Sequence, residues 1–285
     1  MRKGSDIAVE GFLFFSVLIS AVLTISVFVF MLIFGLPLLT EGRLFSLVTD
    51  TWRPGNGFYG IQPMIAGTLL ISSLSVIIAF PVSMGCTFLI TVLAPGPFAA
   101  FLKKTVQLMT GIPTVIYGFV GIFLLVPFIR EFFQKGSGMC ILTASLMLAL
   151  LIAPTMILFF ADSFERVPLS YLRAVDALGG TPVQKLLYVF LPCARSGIWS
   201  GVILALGRAL GDTLIALMLA GNAVQMPGSL SDSARTLTAH IALVIAADYD
   251  SPEFRSVFAC GMVLYLFTVI EVIILRTLAR GRKAD

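Results

Sequence analysis

Long uncharged apolar stretches alternate along this chain with short segments that carry nearly all the charge. Residues 11–37 contain no charged side chain, and none occurs between Arg53 and Lys103. A bilayer core about 30 Å thick is crossed by about 20 helical residues. On that measure the pattern predicts about six membrane-spanning helices, near residues 11–37, 62–93, 105–129, 139–160, 198–220 and 257–278. Pro95-Gly96-Pro97 closes the second run. Apolar residues occupy all faces of most of these segments, the pattern of helices that face lipid. The expected fold class is an all-α integral membrane protein, with residues 1–285 forming one transmembrane domain.

Composition agrees with the pattern. Hydrophobic residues make up 58% of the chain and charged residues 12%, against about 25% charged in soluble domains. The basic N-terminus, Met1-Arg2-Lys3, could open a secretory signal, but the uncharged run behind it is too long for a signal core of about 7–15 residues. A retained first span is expected. Lys and Arg in the connections on the N-terminal side outnumber those on the other side two to one, which predicts cytoplasmic N- and C-termini. Residues 161–197 then form a cytoplasmic connection, and 222–256 an outside one.

Several chemistries are excluded. No Lys/Arg-rich run interleaved with aromatics suggests nucleic acid. There is no Gly-x-x-x-x-Gly-Lys-Ser/Thr to cradle ATP phosphates, no Gly-x-Ser-x-Gly, and no His/Cys/carboxylate cluster at metal-ligand spacing. Cys86, Cys140, Cys193 and Cys260 lack CxxC spacing and read as packing residues. No catalytic residue, metal or cofactor is expected.

Three segments carry candidate function. In the fifth span Arg208 and Asp212 stand four apart, hence on one helical face. A mid-membrane charge costs about 2.5–3.5 kcal/mol on insertion scales, so both need a partner or water. Gly201, Ala205, Arg208, Asp212 and Ala216 form one stripe, and Ile203, Leu210, Leu214 and Leu217 fall opposite, toward lipid. The plainer reading is an intrahelical pair that neutralises itself. The second segment is the cytoplasmic connection. Residues 170–178 suit a short helix stopped by Gly179-Gly180, and Pro182 suits the first turn of another. A helix–turn–helix knob or a simple interfacial re-entry loop would each fit. The third is the outside connection, where residues 236–247 suit an interfacial or partly re-entrant helix and His240 reads as a packed side chain. Thr114, Tyr117 and Thr213 are further polar candidates.

The cytoplasmic connection resembles the "EAA" loop of bacterial ABC importer permeases. Arg173-Ala174-Val175 precedes Gly179, and Leu191-Pro192 follows at the matching distance, although Arg173 stands where the family usually has Glu. Further stretches are similar to the phosphate-specific subfamily, nearer its C-type (PstC-like) than its A-type subunits. They are Trp52-Arg53-Pro54, Tyr59-Gly-Ile-Gln-Pro63, Gly67-Thr-Leu69, Gly111-Ile-Pro-Thr-Val-Ile-Tyr-Gly118, Arg208-Ala-Leu-Gly-Asp-Thr213, Gly221-Asn222 and Arg235-Thr-Leu-Thr238. Asp212 takes the place of the usual Glu. The resemblance implies a type I ABC importer permease fold in the cell membrane and phosphate as the cargo. It implies ABC ATPase subunits, a second, A-type permease as heterodimer partner, and an external phosphate-binding protein. It places Arg208 and Asp212 along the substrate pathway, which Thr213, Thr114 and Tyr117 would line by their position on spans three and five, and Arg173, Ala174, Asp176, Gly179, Leu191 and Pro192 in ATPase docking. The alternatives are a permease of the same type for molybdate, tungstate or sulfate, and a secondary transporter.

Overall fold

Each long apolar run becomes a helix in the computed structural model, which describes residues 4–40, 48–94, 96–134, 136–248 and 251–281. The helices are α1 (Gly4–Thr40), α2 (Gln62–Phe88), α3 (Gly96–Thr110), α4 (Thr114–Val120), α5 (Val126–Phe133), α6 (Ile141–Glu165), α7 (Leu169–Ala177), α8 (Pro182–Lys185), α9 (Leu191–Leu210), α10 (Leu214–Leu219), α11 (Leu237–Val244) and α12 (Pro252–Gly281). Wider i→i+5 turns at Leu89–Leu93, Gly121–Leu125 and Leu186–Phe190 extend α2, join α4 to α5 and join α8 to α9. Among the described residues six helical stretches are long and apolar enough to cross a bilayer: Val9–Phe34, Gln62–Leu93, Thr114–Phe133, Ile141–Glu165, Pro182–Leu210 and Pro252–Leu278.

Several boundaries differ from the sequence reading. The third crossing begins at Thr114 rather than 105, because proline disfavours helical backbone at the residue before it. Gly111-Ile112-Pro113 therefore separates α3 from α4, and α3 becomes a helix of its own. The fifth crossing ends at Leu210 and reaches back to Pro182. The connection expected over 161–197 is correspondingly shorter, since α6 runs on to Glu165.

The core forms around α6, which is buried on nearly every side. Its all-round apolarity thus marks a central helix rather than a lipid-facing one. Against it α2 sets a seam of small and hydroxyl residues, Thr68, Ser72, Ser75, Ala79, Ser83 and Thr87, all buried. Small residues let membrane helices approach closely. Ser83 Oγ and Thr87 Oγ1 donate across the seam to the carbonyls of Ala153 and Ile157, each at 3.3 Å, and Ser145 Oγ returns a bond to Ile71 O at 3.3 Å. By contrast α1 is exposed along Val9–Phe30 at every position described and touches the bundle through Phe28 on Tyr265 and Phe30 and Phe34 on Phe258.

At the end of the bundle away from α7, a hairpin of β1 (Trp52–Arg53) and β2 (Phe58–Tyr59) precedes α2. After α10 the chain turns at Gly221 and Asn222, both at positive φ. It then runs beside the start of α6, where Ile141 and Leu142 N–H groups donate to Asp232 and Leu230 carbonyls. It finally dives back as α11, whose Leu237, Thr238, Ala239 and His240 are buried. Thr236 caps α11, and Leu237 N–H donates to Thr68 Oγ1 at 2.9 Å. The segment is thus packed into the helix bundle over its first turn.

Gly67 is the contact that lets the re-entrant segment seat. A Cβ there would lie 2.5 Å from the Arg235 carbonyl oxygen, a backbone atom with little freedom to move. Gly67→Ala is expected to cost about 1–3 kcal/mol, the usual penalty for overpacking. A lower melting temperature in detergent would register it, and an unchanged one would mean that the segment packs less tightly than described.

Candidate functional site

Helix α9 stops at Leu210, Gly211-Asp212-Thr213 forms a break, and α10 resumes at Leu214. Two features make the break. Gly207 and Gly211 weaken the helix, since glycine costs about 1 kcal/mol relative to alanine in a helix. Asp212 Oδ2 also accepts the Ile215 N–H at 2.8 Å, so its carboxylate serves the first turn of the next helix. From the re-entrant segment, Thr238 Oγ1 donates to the Asp212 carbonyl at 2.8 Å and pins the break.

This corrects the expected shared face. Arg208 and Asp212 do not lie on one continuous helix, and they form no ion pair; nor does Arg208 pair with any other carboxylate among the described residues. No direct salt bridge joins the two, although the Arg208 charge still acts on the Asp212 carboxylate. Arg208 is half-buried and its Nη1 donates to Thr155 Oγ1 of α6 at 3.0 Å. The stripe is also modified. Gly201, Ala205 and Ala216 are buried as expected, but so are Ile203 and Leu210, because α9 packs against α6, α2 and α12 on several sides. Leu214 is exposed and Leu217 half-buried.

Tyr117 is buried on α4, and its hydroxyl donates to Met109 O at 3.3 Å. The same helix meets α10 through Gly118 on Met218, and Gly121 just beyond it meets Leu219. Thr114, at the start of α4, and Thr213, in the break, are half-buried. Their hydroxyls make no hydrogen bond within the chain among the described residues, unlike those of Thr68, Ser72 and Ser75, which bond to their own helix.

Sequence reasoning missed two residues here. Thr155 lies far from Arg208 in the chain, and nothing local signals the contact. Glu271 of α12 packs its carboxylate against Gly207, where a Cβ would overlap it. Its signal was legible: it is the one charged residue between Arg255 and Arg276.

At the other end, α7, a turn and α8 form the knob. Gly179, at φ +71°, ends α7, and Thr181 with Gln184 forms a reciprocal capping box that starts α8. Lys185 pairs with Asp176 across the turn. Arg173, Ala174 and Gly179 are exposed, as are Tyr171, Leu178 and Val183, with Leu178 at 88% exposure. Leu191 packs against the core, and Pro192 is exposed in the first turn of α9. A helix–turn–helix therefore replaces the simple re-entry loop.

Over residues 84–283 the sequence matches the family model described as "Binding-protein-dependent transport system inner membrane component". It is 33% identical over 240 residues to a probable ABC transporter permease protein, YqgH, of Bacillus subtilis, covering 83% of this chain and 78% of that one. It is 30% identical over 249 residues to the phosphate transport system permease protein PstC of Mesorhizobium japonicum, covering 81% and 76%. Among solved structures it is similar to a chain of a bacterial alginate ABC transporter, with TM-score 0.62, 14% identity and coverage of 99% of this chain and 98% of that one. It is also similar to a chain of the MetNI methionine ABC transporter, with TM-score 0.57, 20% identity and coverage of 74% and 93%. The structural likenesses bear on fold alone, and the fold is that of type I ABC importer permeases.

Proposed function

As this chain belongs to the binding-protein-dependent transport system inner membrane component family, a multi-pass membrane permease and not itself an enzyme, we propose that it is the C-type permease subunit of an ATP-driven phosphate importer. The observation that carries this reading is Arg208: a guanidinium half-buried in the fifth crossing, held by a neutral threonine and with no carboxylate in direct ion-pair contact among the described residues. A buried charge is stabilised when an opposite charge meets it with good hydrogen-bond geometry. An oxyanion supplies both, and the planar fork of arginine matches two of its oxygens at once. The relatives named for phosphate transport point to the same cargo.

Asp212 gives the selectivity. A carboxylate repels anions, but phosphate near neutral pH still carries a proton that a carboxylate can accept. Sulfate and molybdate carry none. Thr114, Thr213 and Tyr117 line the route beside the break, the two threonines with hydroxyls available to a passing anion. The knob faces the cytoplasm and docks an ATPase through Arg173, Ala174, Asp176 and Gly179, with Leu191 and Pro192 passing the push to α9. Closure of the ATPases by ATP then biases the bundle between two states. A second, A-type permease completes the passage, and an external phosphate-binding protein delivers the anion.

The test is reconstitution in vesicles with the ATPase, the second permease and the binding protein. ATP-driven uptake of radiolabelled phosphate is expected, with little uptake of sulfate or molybdate. Equal uptake of phosphate and sulfate would overturn the proton argument, and absence of ATP-driven uptake of any oxyanion would overturn the reading.

A further inference from the structure

A second arginine in the bundle is also without a carboxylate. Arg235 lies on the re-entrant segment, half-buried, with no ion pair among the described residues. Its neighbours are neutral. Nε donates to the Asn222 carbonyl at 3.1 Å, and Nη1 lies 3.5 Å from His240 Nδ1.

The direction of each bond in this network follows from chemistry. A guanidinium only donates, so His240 Nδ1 accepts. Its Nε2 then carries the proton and donates to Ser256 Oγ at 3.0 Å, and the Ser256 hydroxyl donates to the Glu253 carbonyl at 2.6 Å. Burial, reinforced by the Arg235 charge, pushes the His240 imidazole down to about 4, so it is neutral near pH 7. Trp52 closes the network with its ring edge-on to His240, centroids 4.6 Å apart. His240 is thus a packed side chain that also fixes one edge of Arg235. The Arg235 backbone is fixed as well, its carbonyl resting on Gly67.

A clamp on a carbonyl and an imidazole needs donors but no net charge. A retained positive charge in a half-buried position costs free energy unless something offsets it. The place of the residue says what. Arg235 stands three positions before Thr238, whose hydroxyl holds the Asp212 carbonyl at the break. Going inward from the hairpin end, the order is Arg235, the break, then Arg208.

We propose that Arg235 is an outer anion-binding residue that receives the oxyanion before it reaches Arg208. This rests on the phosphate-importer reading. The two arginines form successive stations, one on the re-entrant segment and one on α9, coupled through the bond between Thr238 and Asp212. Each station holds the anion by one cation, which keeps binding weak enough for onward transfer.

The test uses the full reconstituted importer with Arg235→Cys placed in a Cys193→Ser parent, because Cys193 is the exposed native cysteine among the described residues. Uptake by the Arg235→Cys protein should fall about 10–100-fold below the parent, the loss of one charge-assisted hydrogen bond at about 1.5–3 kcal/mol. Cationic aminoethyl methanethiosulfonate should restore much of it. Neutral methyl and anionic sulfonatoethyl reagents should not, and inorganic phosphate should slow the reaction of the thiol with the cationic reagent. Restoration by the neutral reagent to the same level, or near-parental uptake without any reagent, would make Arg235 a structural clamp and overturn the inference. A thiol that no reagent reaches would do the same, since an anion arriving from that side must reach it. Absence of phosphate uptake by the unsubstituted importer, with its membrane level unchanged, would instead count against the importer reading.

Discussion

Arg208→Ala is expected to lower ATP-driven phosphate uptake by about two orders of magnitude or more, with the protein still present in the membrane at its usual level. The guanidinium offers the anion at least one charge-assisted hydrogen bond beyond the one it gives Thr155. A bidentate grip adds a second. At about 1.5–3 kcal/mol each, and with about 1.4 kcal/mol to a factor of ten, two such bonds correspond to roughly 10²–10⁴ in anion occupancy. Removal also takes away a charge that acts on the half-buried Asp212 carboxylate, so a modest loss of stability is expected beside the loss of uptake. Arg208→Lys should fall between, because an ammonium keeps the charge but not the planar fork. The measurement is initial uptake per permease molecule, normalised by immunoblot, beside ATP hydrolysis stimulated by loaded binding protein. Normal uptake by Arg208→Ala would remove the observation on which the importer mechanism stands.

The crossings were legible because the bilayer imposes a length and an apolarity that few other environments demand. The knob was legible for a local reason. Gly179-Gly180 and Pro182 are stop and start signals whose effect is set within a few residues, and the structure places both where they act. The same kind of signal at Gly111-Ile112-Pro113 was outweighed by the apolar run around it, which displaced the start of the third crossing. The pairing of Arg208 with Asp212 failed because the i, i+4 rule holds only on an unbroken helix. The break depends on Thr238, far along the chain, and on a side chain that serves the next helix instead of its neighbour. Thr155 and the contact of Glu271 with Gly207 are products of how α6, α9 and α12 cross, and no periodicity within one segment encodes them. The buried position of Ile203 has the same origin: α9 is enclosed on several sides, which a single-helix projection cannot register.

Asp212→Asn is expected to leave the fold intact and to blunt the preference for phosphate over sulfate by about tenfold. The substitution separates two roles that Asp212 combines. Its carboxylate oxygen accepts the Ile215 N–H at the start of α10, and the amide oxygen of asparagine can do the same, the two residues being near equals in that position. The charge is lost. A phosphate P–OH donating to a charged acceptor gains about 1.5–3 kcal/mol, against about 1 kcal/mol for a neutral one. A fully ionised sulfate meets less repulsion once the carboxylate is gone. Both effects move selectivity the same way, and together they amount to about 1–2 kcal/mol, or roughly a factor of ten. Asp212→Ala should differ in kind, losing the cap as well and lowering the melting temperature by the equivalent of about 1 kcal/mol. Competition between labelled phosphate and unlabelled sulfate in the three proteins gives the comparison. If Asp212→Asn discriminates as the unsubstituted protein does while Asp212→Ala is merely less stable, the carboxylate is a helix cap, and the proton on phosphate must be read by another group.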